Sequence, residues 1–198
     1  MKLRYESAQI ERNTLETQIK MAIKISDSIR HGLAGTSGIG FFDHMLNSFA
    51  IHSGMAIELN MTGDLNVDCH HTIEDVGICL GLCLDDIAQN NKPLTRYGTS
   101  YIPMDEALAR SVIDISGRPY LVCNYAPKAP MVGDFDTQMV PEFFRALAFN
   151  MKSTLHIEAL YGQNDHHVIE AIFKSVAHSF KQAIAPIEGA TISAKGVL

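Results

Sequence analysis

The chain carries one short pattern twice, in which two adjacent histidines are followed by a glutamate three residues after the second histidine. The first copy is His70-His71-Thr72-Ile73-Glu74 and the second is His166-His167-Val168-Ile169-Glu170. If each copy begins a helix, its glutamate shares a surface stripe with its histidines, because residues three and four apart are neighbours. Four imidazoles and two carboxylates form a ligand set that suits Mn, Fe or Zn. One copy alone is more often chance than a metal site, but two copies favour a metal site built by internal duplication.

Adjacent histidines on a helix point about 100° apart, so they do not share one ion with good geometry. Each His-His pair is therefore better suited to serve two ions, each receiving two histidines and one carboxylate. Two further histidines would complete these sites: His44, expected at the start of a helix, and His156, on a strand that leads to the second pair. The alternative for each is a structural histidine held by a hydrogen bond, which is the more common state.

The composition is that of a globular protein of 198 residues, with 46% hydrophobic and 19% charged residues. The net charge of −6 argues against binding to nucleic acid, which needs a basic surface. No apolar run has the length of a membrane span, and the first residues lack the core of a signal peptide. The four cysteines show no CxxC spacing, so we expect reduced thiols and a cytoplasmic location.

Two runs of similar order supply the elements that must position these residues. Alternating apolar residues predict strands, wider apolar spacing predicts helices, and stretches rich in Gly, Ser, Pro and Asp predict loops. The first run is predicted as strands 3–11 and 15–25, loop 26–40 with room for a short third strand, helix 41–52, strand 55–61 and helix 70–87. The second run is predicted as strands 96–103, 105–116 and 119–126, a loop, helix 141–150, strand 153–161 and helix 165–185, with Asn164 or Asp165 as N-cap.

The two runs match in further details. Phe41-Phe42 and Phe143-Phe144 lie in corresponding helices, and Ile57-Glu58 and Ile157-Glu158 lie in the strands that follow them. We therefore predict an α+β fold of two pseudo-symmetric halves, each a mostly antiparallel sheet with helices packed on one face.

The boundary between the halves is expected near Pro93. No linker composition surrounds this residue. The halves 1–92 and 93–198 are therefore expected to pack as a single domain made of two repeats.

Six segments, in matching order, carry a resemblance that covers nearly the whole chain. They are 12–17 (RNTLET), 40–46 (GFFDHML), 68–75 (DCHHTIED), 116–119 (SGRP), 155–157 (LHI) and 164–174 (NDHHVIEAIFK). Together they resemble the imidazoleglycerol-phosphate dehydratase family. The resemblance implies a lyase of histidine biosynthesis that converts imidazoleglycerol phosphate to imidazoleacetol phosphate, with the imidazolate of the substrate held between two metal ions.

The resemblance also implies the cofactor and the assembly. It implies two Mn²⁺ ions per active site, with other divalent metals as alternatives, and a homo-oligomer of 24 subunits with active sites between subunits. The substrate is a small phosphate-bearing molecule, with no role for nucleic acid or a membrane. The implied ligands, not assigned to particular ions, are His44, His70, His71, Glu74, His156, His166, His167 and Glu170.

Substrate-binding positions follow from the same resemblance. They are Glu16, His52, Arg96, Arg118, Ser193 and Lys195. Arginine forks, a hydroxyl and an ammonium group suit the oxygens of a phosphate, and Glu16 is the candidate catalytic acid/base group. A solvated strand glutamate is an equally good interpretation of Glu16, as is a structural role for His52. We expect His178 on the face of its helix away from Glu170.

Two other functions stay open. A dinuclear hydrolase, in which the metals activate water, would use the same cluster of His and Glu without the matched basic residues, and it would cleave esters or amides. A metal-storage or structural assembly would bind manganese without dehydrating imidazoleglycerol phosphate. An assay for the keto product, with and without manganese, separates the three functions.

Overall fold

Two four-stranded sheets, one from each half of the chain, lie on either side of the helices. The computed structural model describes residue 3, residues 6–190 and residue 193. The first half contains β1 (Ser7–Asn13), β2 (Thr17–Ile25), β3 (Gly32–Gly35), α1 (Gly40–Ser53), β4 (Met55–Gly63) and α2 (His70–Asn90). The second half contains β5 (Tyr97–Met104), β6 (Ala107–Asp114), β7 (Tyr120–Asn124), β8 (Met131–Val132), β9 (Phe135–Asp136), α3 (Met139–Asn150), β10 (Thr154–Tyr161) and α4 (Asp165–Ala183).

Both large sheets have the same strand path. The order is β1-β2-β4-β3 in the first sheet and β5-β6-β10-β7 in the second. In each sheet three strands pair antiparallel, and one edge strand runs parallel to its neighbour: β3 to β4, and β7 to β10. The predicted α+β fold of two similar, mostly antiparallel halves is confirmed. The single domain with halves 1–92 and 93–198 stays a prediction.

The strands form where apolar residues alternate with polar ones. In β2 every second residue, from Thr17 to Ile25, is buried, while Gln18, Lys20 and Lys24 face solvent. The short strand β3 lies within the predicted loop 26–40, for which the sequence allows a short third strand. The hairpin of β8 and β9 lies in a stretch predicted as loop, because two residues per strand are too few to show an alternating pattern.

The four helices lie close to their predicted positions. The second helix extends three residues beyond its predicted end, to Asn90, and the fourth ends two residues early, at Ala183. Asn164 is confirmed as the N-cap of α4, because its side chain accepts a hydrogen bond from the backbone N–H of His166 at 2.9 Å. Within the described part of the chain, no helix has an apolar stretch that would cross a membrane.

The helices join the two halves through a shared core. The α2 helix packs on β1 and β2 and against α3, while α4 packs on β5 and β6 and against α1. Each helix pair therefore contains one helix from each half. Phe42 of α1 packs against Phe135 and Phe143 of the second half, with ring centroids 6.0 Å and 5.3 Å apart. These contacts anchor α1, and with it His44, to the second half.

Two glycines allow α2 to approach α3 closely. Gly77 and Gly81 lie one turn apart on α2. A Cβ atom on Gly81 would lie 2.6 Å from the carbonyl oxygen of Leu147, and one on Gly77 would lie 2.8 Å from that of Phe143. Both distances are shorter than van der Waals contact, so the two helices can pack this closely only because neither residue has a side chain.

We expect Gly81→Ala to lower the free energy of unfolding by about 1–3 kcal/mol, the usual cost of overpacking a core. The loss occurs although alanine is the better helix former by about 1 kcal/mol, because the Leu147 carbonyl is backbone and cannot rotate away. Gly40→Ala is the matched control, since its Cβ would meet an Asp134 oxygen at 3.7 Å, an ordinary contact. Urea unfolding followed by circular dichroism measures both variants. Equal stability of Gly81→Ala and the wild type would contradict the packing argument.

Candidate active site

Three predicted metal ligands meet where α1 packs against α4. His44 comes from the second turn of α1, and His166 and Glu170 lie one turn apart at the start of α4. The Nε2 atoms of His44 and His166 lie 3.5 Å and 3.3 Å from Glu170 Oε2. One ligand atom from each of these side chains, here called the ligand triad, lies within 4.8 Å of the others. Among the described residues it is the only such group of three or more possible ligands.

The spacing of the ligand triad fits a divalent ion. Two ligands that are each about 2.1 Å from one ion stand about 3.0–3.4 Å apart in octahedral or tetrahedral geometry. The separations between Glu170 Oε2 and the two imidazole nitrogens are close to this range. Two imidazoles with one carboxylate are also a donor set that Mn, Fe and Zn accept. The residues present can therefore hold such an ion.

Glu170 remains charged although it is buried. Burial acts to raise its pKa, but Lys174, His44 and His166 lower it more strongly, and the net pKa lies below the usual value. The Nζ atom of Lys174 lies 2.6 Å from Glu170 Oε1. One carboxylate oxygen is thus bound by an ammonium group, while the other faces the two imidazoles.

A turn from the second half holds the start of α1. Asp134, between β8 and β9, accepts hydrogen bonds from the backbone N–H groups of Gly40 and Phe41 at 2.7 Å and 3.2 Å. The ring of Phe41 packs edge-on against His166, with centroids 5.0 Å apart. The second half therefore fixes both the helix end and the aromatic ring that border the ligand triad.

The first His-His pair lies at the start of α2 in a more open setting. His70 Nε2 lies 3.6 Å from Glu74 Oε2, and both side chains are about half exposed. His71 lies between two carboxylates: its Nδ1 is 3.0 Å from Asp64 Oδ2, and its Nε2 is 3.6 Å from Glu16 Oε1. The hydrogen bond with Asp64 raises the pKa of His71. The structure thus brings Glu16, the candidate acid/base group, next to a predicted metal ligand.

The second histidine of the other pair has a similar setting. His167 Nδ1 lies 2.7 Å from Glu106 Oε2, and its Nε2 lies 3.7 Å from Asp105 Oδ2. Asp105 and Glu106 form the turn between β5 and β6, which corresponds to the β1–β2 turn that carries Glu16. The hydrogen bonds from His167 and from backbone N–H groups lower the pKa of Glu106 to about 2.

His156 lies apart from the other predicted ligands of the same chain. It is exposed in β10 between Leu155 and Ile157, whose side chains are buried in the core. Because successive strand residues point to opposite faces, His156 is on the outer face of the second sheet. One chain therefore joins three of the eight predicted ligands in a single group, and the ligand assignments stay predictions.

The two arginines predicted to bind phosphate lie around one carboxylate. Arg96 is buried and donates from Nε and Nη2 to the two oxygens of Asp114, at 2.6 Å and 3.1 Å. Arg118 Nη2 lies 3.7 Å from the same carboxylate, and its side chain is 62% exposed. Ser193 is partly buried, and Lys195 lies outside the described residues. The structure thus brings together two of the four predicted phosphate ligands.

His52, a predicted substrate contact, pairs with His178. His52 Nδ1 and His178 Nε2 lie 3.1 Å apart and link the last turn of α1 to α4. Burial lowers the pKa of both histidines, and the neighbouring His178 and Lys174 lower that of His52 further. The expected position of His178 on the far face of α4 is wrong. Eight residues after Glu170 correspond to a rotation of only about 80°, so His178 follows Glu170 along the same side.

Two carboxylates at the site, Asp64 and Glu106, were not identified from the sequence. Asp64 directly follows Gly63 at the end of β4, and Glu106 is 61 residues from its partner His167. For Glu106, the sequence offered one signal, the two adjacent acidic residues in the turn between β5 and β6. They do not indicate which histidine they meet, because that contact depends on how the hairpin packs against α4.

Comparison with known proteins decides the family. The family model for imidazoleglycerol-phosphate dehydratase matches residues 37–180. The chain belongs to this family. An imidazoleglycerol-phosphate dehydratase from Staphylococcus epidermidis is 49% identical over 191 residues, covering 96% of this chain and 98% of the relative. One from Clostridium kluyveri is 47% identical over 193 residues, with coverage of 96% and 98%.

Solved structures of imidazoleglycerol-phosphate dehydratases have the same fold. The crystal structure of the Staphylococcus aureus protein matches with a TM-score of 0.82 and 41% identity, over 91% of this chain and 99% of that one. The Pyrococcus furiosus structure matches with a TM-score of 0.82 and 35% identity, over 96% and 100%. Family membership confirms the predicted class, a hydro-lyase of the dehydration step in histidine biosynthesis for which the family is named.

We expect His166→Ala to weaken Mn²⁺ binding by about tenfold or more, because it removes one of the two imidazoles that face Glu170. His178→Ala is the matched control, since it removes an imidazole from the same side of α4 without touching the ligand triad. Isothermal titration calorimetry with Mn²⁺ on metal-free protein measures both variants. Wild-type affinity in His166→Ala would exclude the ligand triad as an ion site.

Proposed function

We propose that this chain removes water from imidazoleglycerol phosphate to give imidazoleacetol phosphate, and that each active site needs two divalent metal ions, Mn²⁺ by preference. Family membership supports the substrate, and the ligand triad supports the metal dependence. The partner is a small phosphate-bearing substrate, and neither nucleic acid nor a membrane takes part. The four cysteines are free thiols, which supports a location in the reducing cytoplasm.

The reaction breaks two bonds in the glycerol chain. A hydroxyl group leaves the carbon attached to the imidazole ring, and a proton leaves the next carbon. Together they account for one released molecule of water. The electron pair of the broken C–H bond becomes part of the C=C bond of an enol, which then becomes the ketone. Because no carbonyl group makes the departing proton acidic, the imidazole ring must supply the electron pair that expels the hydroxyl group.

The proposed ligands of the two ions come from both His-His patterns and from two further histidines, His44 and His156. They are the ligand triad together with His70, His71, Glu74, His156 and His167. Bound divalent ions supply Lewis acidity, which favours the negatively charged form of an imidazole ring. The chain fixes the donor atoms, above all by burying Glu170 beside Lys174 so that its carboxylate stays charged and in place.

Glu16 carries the proton transfer in this proposal. Its carboxylate lies in the β1–β2 turn, 3.6 Å from His71 Nε2, and its side chain is about half exposed. In its acid form Glu16 protonates the departing hydroxyl group, and as a carboxylate it accepts the proton from the next carbon. An exposed turn suits this role, because the substrate reaches it from solvent.

Arg96, Arg118, Ser193 and Lys195 are proposed to hold the phosphate. Asp114 fixes the guanidinium of Arg96, and the exposed Arg118 reaches outward from the same carboxylate. The exposed guanidinium of Arg118 can bind two phosphate oxygens at once, which sets both the place and the orientation of the phosphate. His52 is proposed as a further substrate contact.

We also propose that the active sites are completed between subunits of a 24-subunit assembly. One chain leaves His156 and the first His-His pair outside the ligand triad, so a neighbouring copy must supply the missing ligands. The outer face of the second sheet, which carries His156, also exposes Tyr97, Tyr101 and Tyr120. A group of exposed aromatic side chains supports contact with another chain.

The ligand triad is the observation that carries metal dependence, and a product assay tests the whole proposal. Protein stripped of metal with a chelator is expected to form no keto product in a spectrophotometric assay, and to form it after Mn²⁺ is added. Metal analysis by mass spectrometry, on protein purified without chelator, is expected to find two ions for each active site. Product formation by stripped protein, or none after Mn²⁺ is added, would contradict the proposal.

Replacing Glu16 separates its chemical role from a role in folding. We expect Glu16→Gln to lower kcat by about 10²–10⁴-fold, the usual contribution of a positioned acid/base group, while metal content stays normal. Glu11→Gln is the control, because Glu11 is an exposed glutamate of the preceding strand that pairs with Lys20. Steady-state kinetics with saturating Mn²⁺ compares the two. Normal turnover in Glu16→Gln would remove Glu16 from the mechanism.

A further inference from the structure

The second histidine of each pair has the same type of partner on the same ring atom. Asp64 Oδ2 lies 3.0 Å from Nδ1 of His71, and Glu106 Oε2 lies 2.7 Å from Nδ1 of His167. An ionised carboxylate only accepts hydrogen bonds, so the proton of each neutral ring lies on Nδ1 and the lone pair on Nε2. Each ring therefore directs Nε2, the nitrogen that can bind a metal ion, away from its carboxylate partner.

The two carboxylates reach these histidines from unrelated places in the two halves. Asp64 follows β4, whereas Glu106 lies in the turn between β5 and β6. The residue after the corresponding strand of the second half is Gly162, followed by the uncharged Gln163. If the carboxylates served only the fold, matching halves would place them at matching positions. The two carboxylates come from different chain positions but meet the same ring atom, Nδ1. This indicates that the histidine itself needs a carboxylate partner at that atom.

We infer that Asp64 and Glu106 are positioning residues, which hold His71 and His167 with Nε2 as the metal-binding atom. A carboxylate on the far nitrogen of a ligating histidine fixes its tautomer and ring orientation and makes it a stronger donor. The inference rests on the proposed function, in which His71 and His167 bind divalent metal ions.

Negative charge also lies on the Nε2 side of each ring. Glu16 Oε1 is 3.6 Å from Nε2 of His71, and Asp105 Oδ2 is 3.7 Å from Nε2 of His167. Carboxylates at this distance attract a cation to the position that Nε2 faces. The surroundings of both rings therefore suit a bound ion on the side opposite the positioning carboxylate.

Asp64 provides the cleaner test of the inference. Its Oδ1 is buried and has no hydrogen-bond partner among the described residues, so its hydrogen bonding is directed at His71. Glu106 also accepts hydrogen bonds from the backbone N–H groups of Gln163 and Asn164, at 2.9 Å and 2.8 Å. Removing Glu106 would therefore also loosen the start of α4.

The experiment compares two variants of Asp64. Asp64→Ala removes the oxygen that accepts the hydrogen bond from His71 Nδ1, and Asp64→Asn keeps such an oxygen in its amide. In metal-free protein, ¹⁵N NMR of the imidazole nitrogens reports the tautomer of His71. We expect the Nδ1–H form in the wild type and in Asp64→Asn, and a shift toward the Nε2–H form in Asp64→Ala. Calorimetric titration with Mn²⁺ alone is expected to show binding weakened by about 10–100-fold in Asp64→Ala and largely restored in Asp64→Asn.

Two further variants complete the experiment. Glu11→Gln, which removes an exposed carboxylate from β1, is expected to keep both the tautomer and the Mn²⁺ affinity of the wild type. Glu106→Gln repeats the test at His167. If Asp64→Ala does not fold, the tautomer of His167 in metal-free Glu106→Gln decides the inference, because loosening the start of α4 alone would not favour the Nε2–H form. The single amide oxygen of Glu106→Gln cannot serve both the imidazole and the two backbone N–H groups, so weaker Mn²⁺ binding is expected.

The outcomes separate this inference from the proposed function. An unchanged tautomer in Asp64→Ala would overturn the inference, and so would wild-type Mn²⁺ affinity in that variant. Absence of Mn²⁺ binding or of product in the wild type would instead contradict the proposed function. The tautomer of His71, measured without metal, would still decide whether Asp64 positions the ring.

Discussion

The site is arranged around one buried negative charge, the carboxylate of Glu170. A lone charge in the core is costly, because water no longer solvates it, and it is tolerated only when other groups take the place of water. Lys174 supplies an ammonium group on one side, and His44 and His166 face the other. His44 belongs to the first half and the other three to the second. The contact between α1 and α4 therefore joins the stability of the fold to the chemistry of the site.

Internal duplication supplies the two His-His patterns, but the two copies have diverged in their surroundings. Both lie at the start of a helix that packs on the first two strands of its own sheet. The side chain of Glu170 is 9% exposed, whereas that of Glu74 is 45% exposed. His44 completes the buried copy within the chain, while the exposed copy faces solvent. One sequence pattern thus yields a cluster with a buried carboxylate and a cluster with an exposed one, while His70 and His166 are both nearly half exposed.

Much of this arrangement could be predicted from the sequence because it depends on local periodicity. The alternation in β2 and the repeated helices were placed within a few residues, and the cap at Asn164 followed from its residue type. What could not be predicted depends on packing between distant segments. The partnership of Glu106 with His167 requires a hairpin to lie against α4, and the hairpin of β8 and β9 has no pattern of its own. The side of α4 that carries His178 could not be predicted either, because it depends on the packing of α4 against α1, and its partner His52 lies 126 residues away in the chain.

The pseudo-symmetry gives the chain two equivalent seams between its halves, α1 with α4 and α2 with α3. When the paired phenylalanines of α1 and α3 are aligned, Ala146 stands in α3 where His44 stands in α1. A Cβ on Gly77 would lie only 3.0 Å from the Cβ of Ala146, so these two small residues let α2 and α3 pack closely at this point. In the α2–α3 seam no imidazole of α3 therefore faces Glu74, whose side chain is 45% exposed. In the α1–α4 seam His44 faces Glu170, whose side chain is only 9% exposed, so the two copies of one pattern hold their carboxylates in different surroundings.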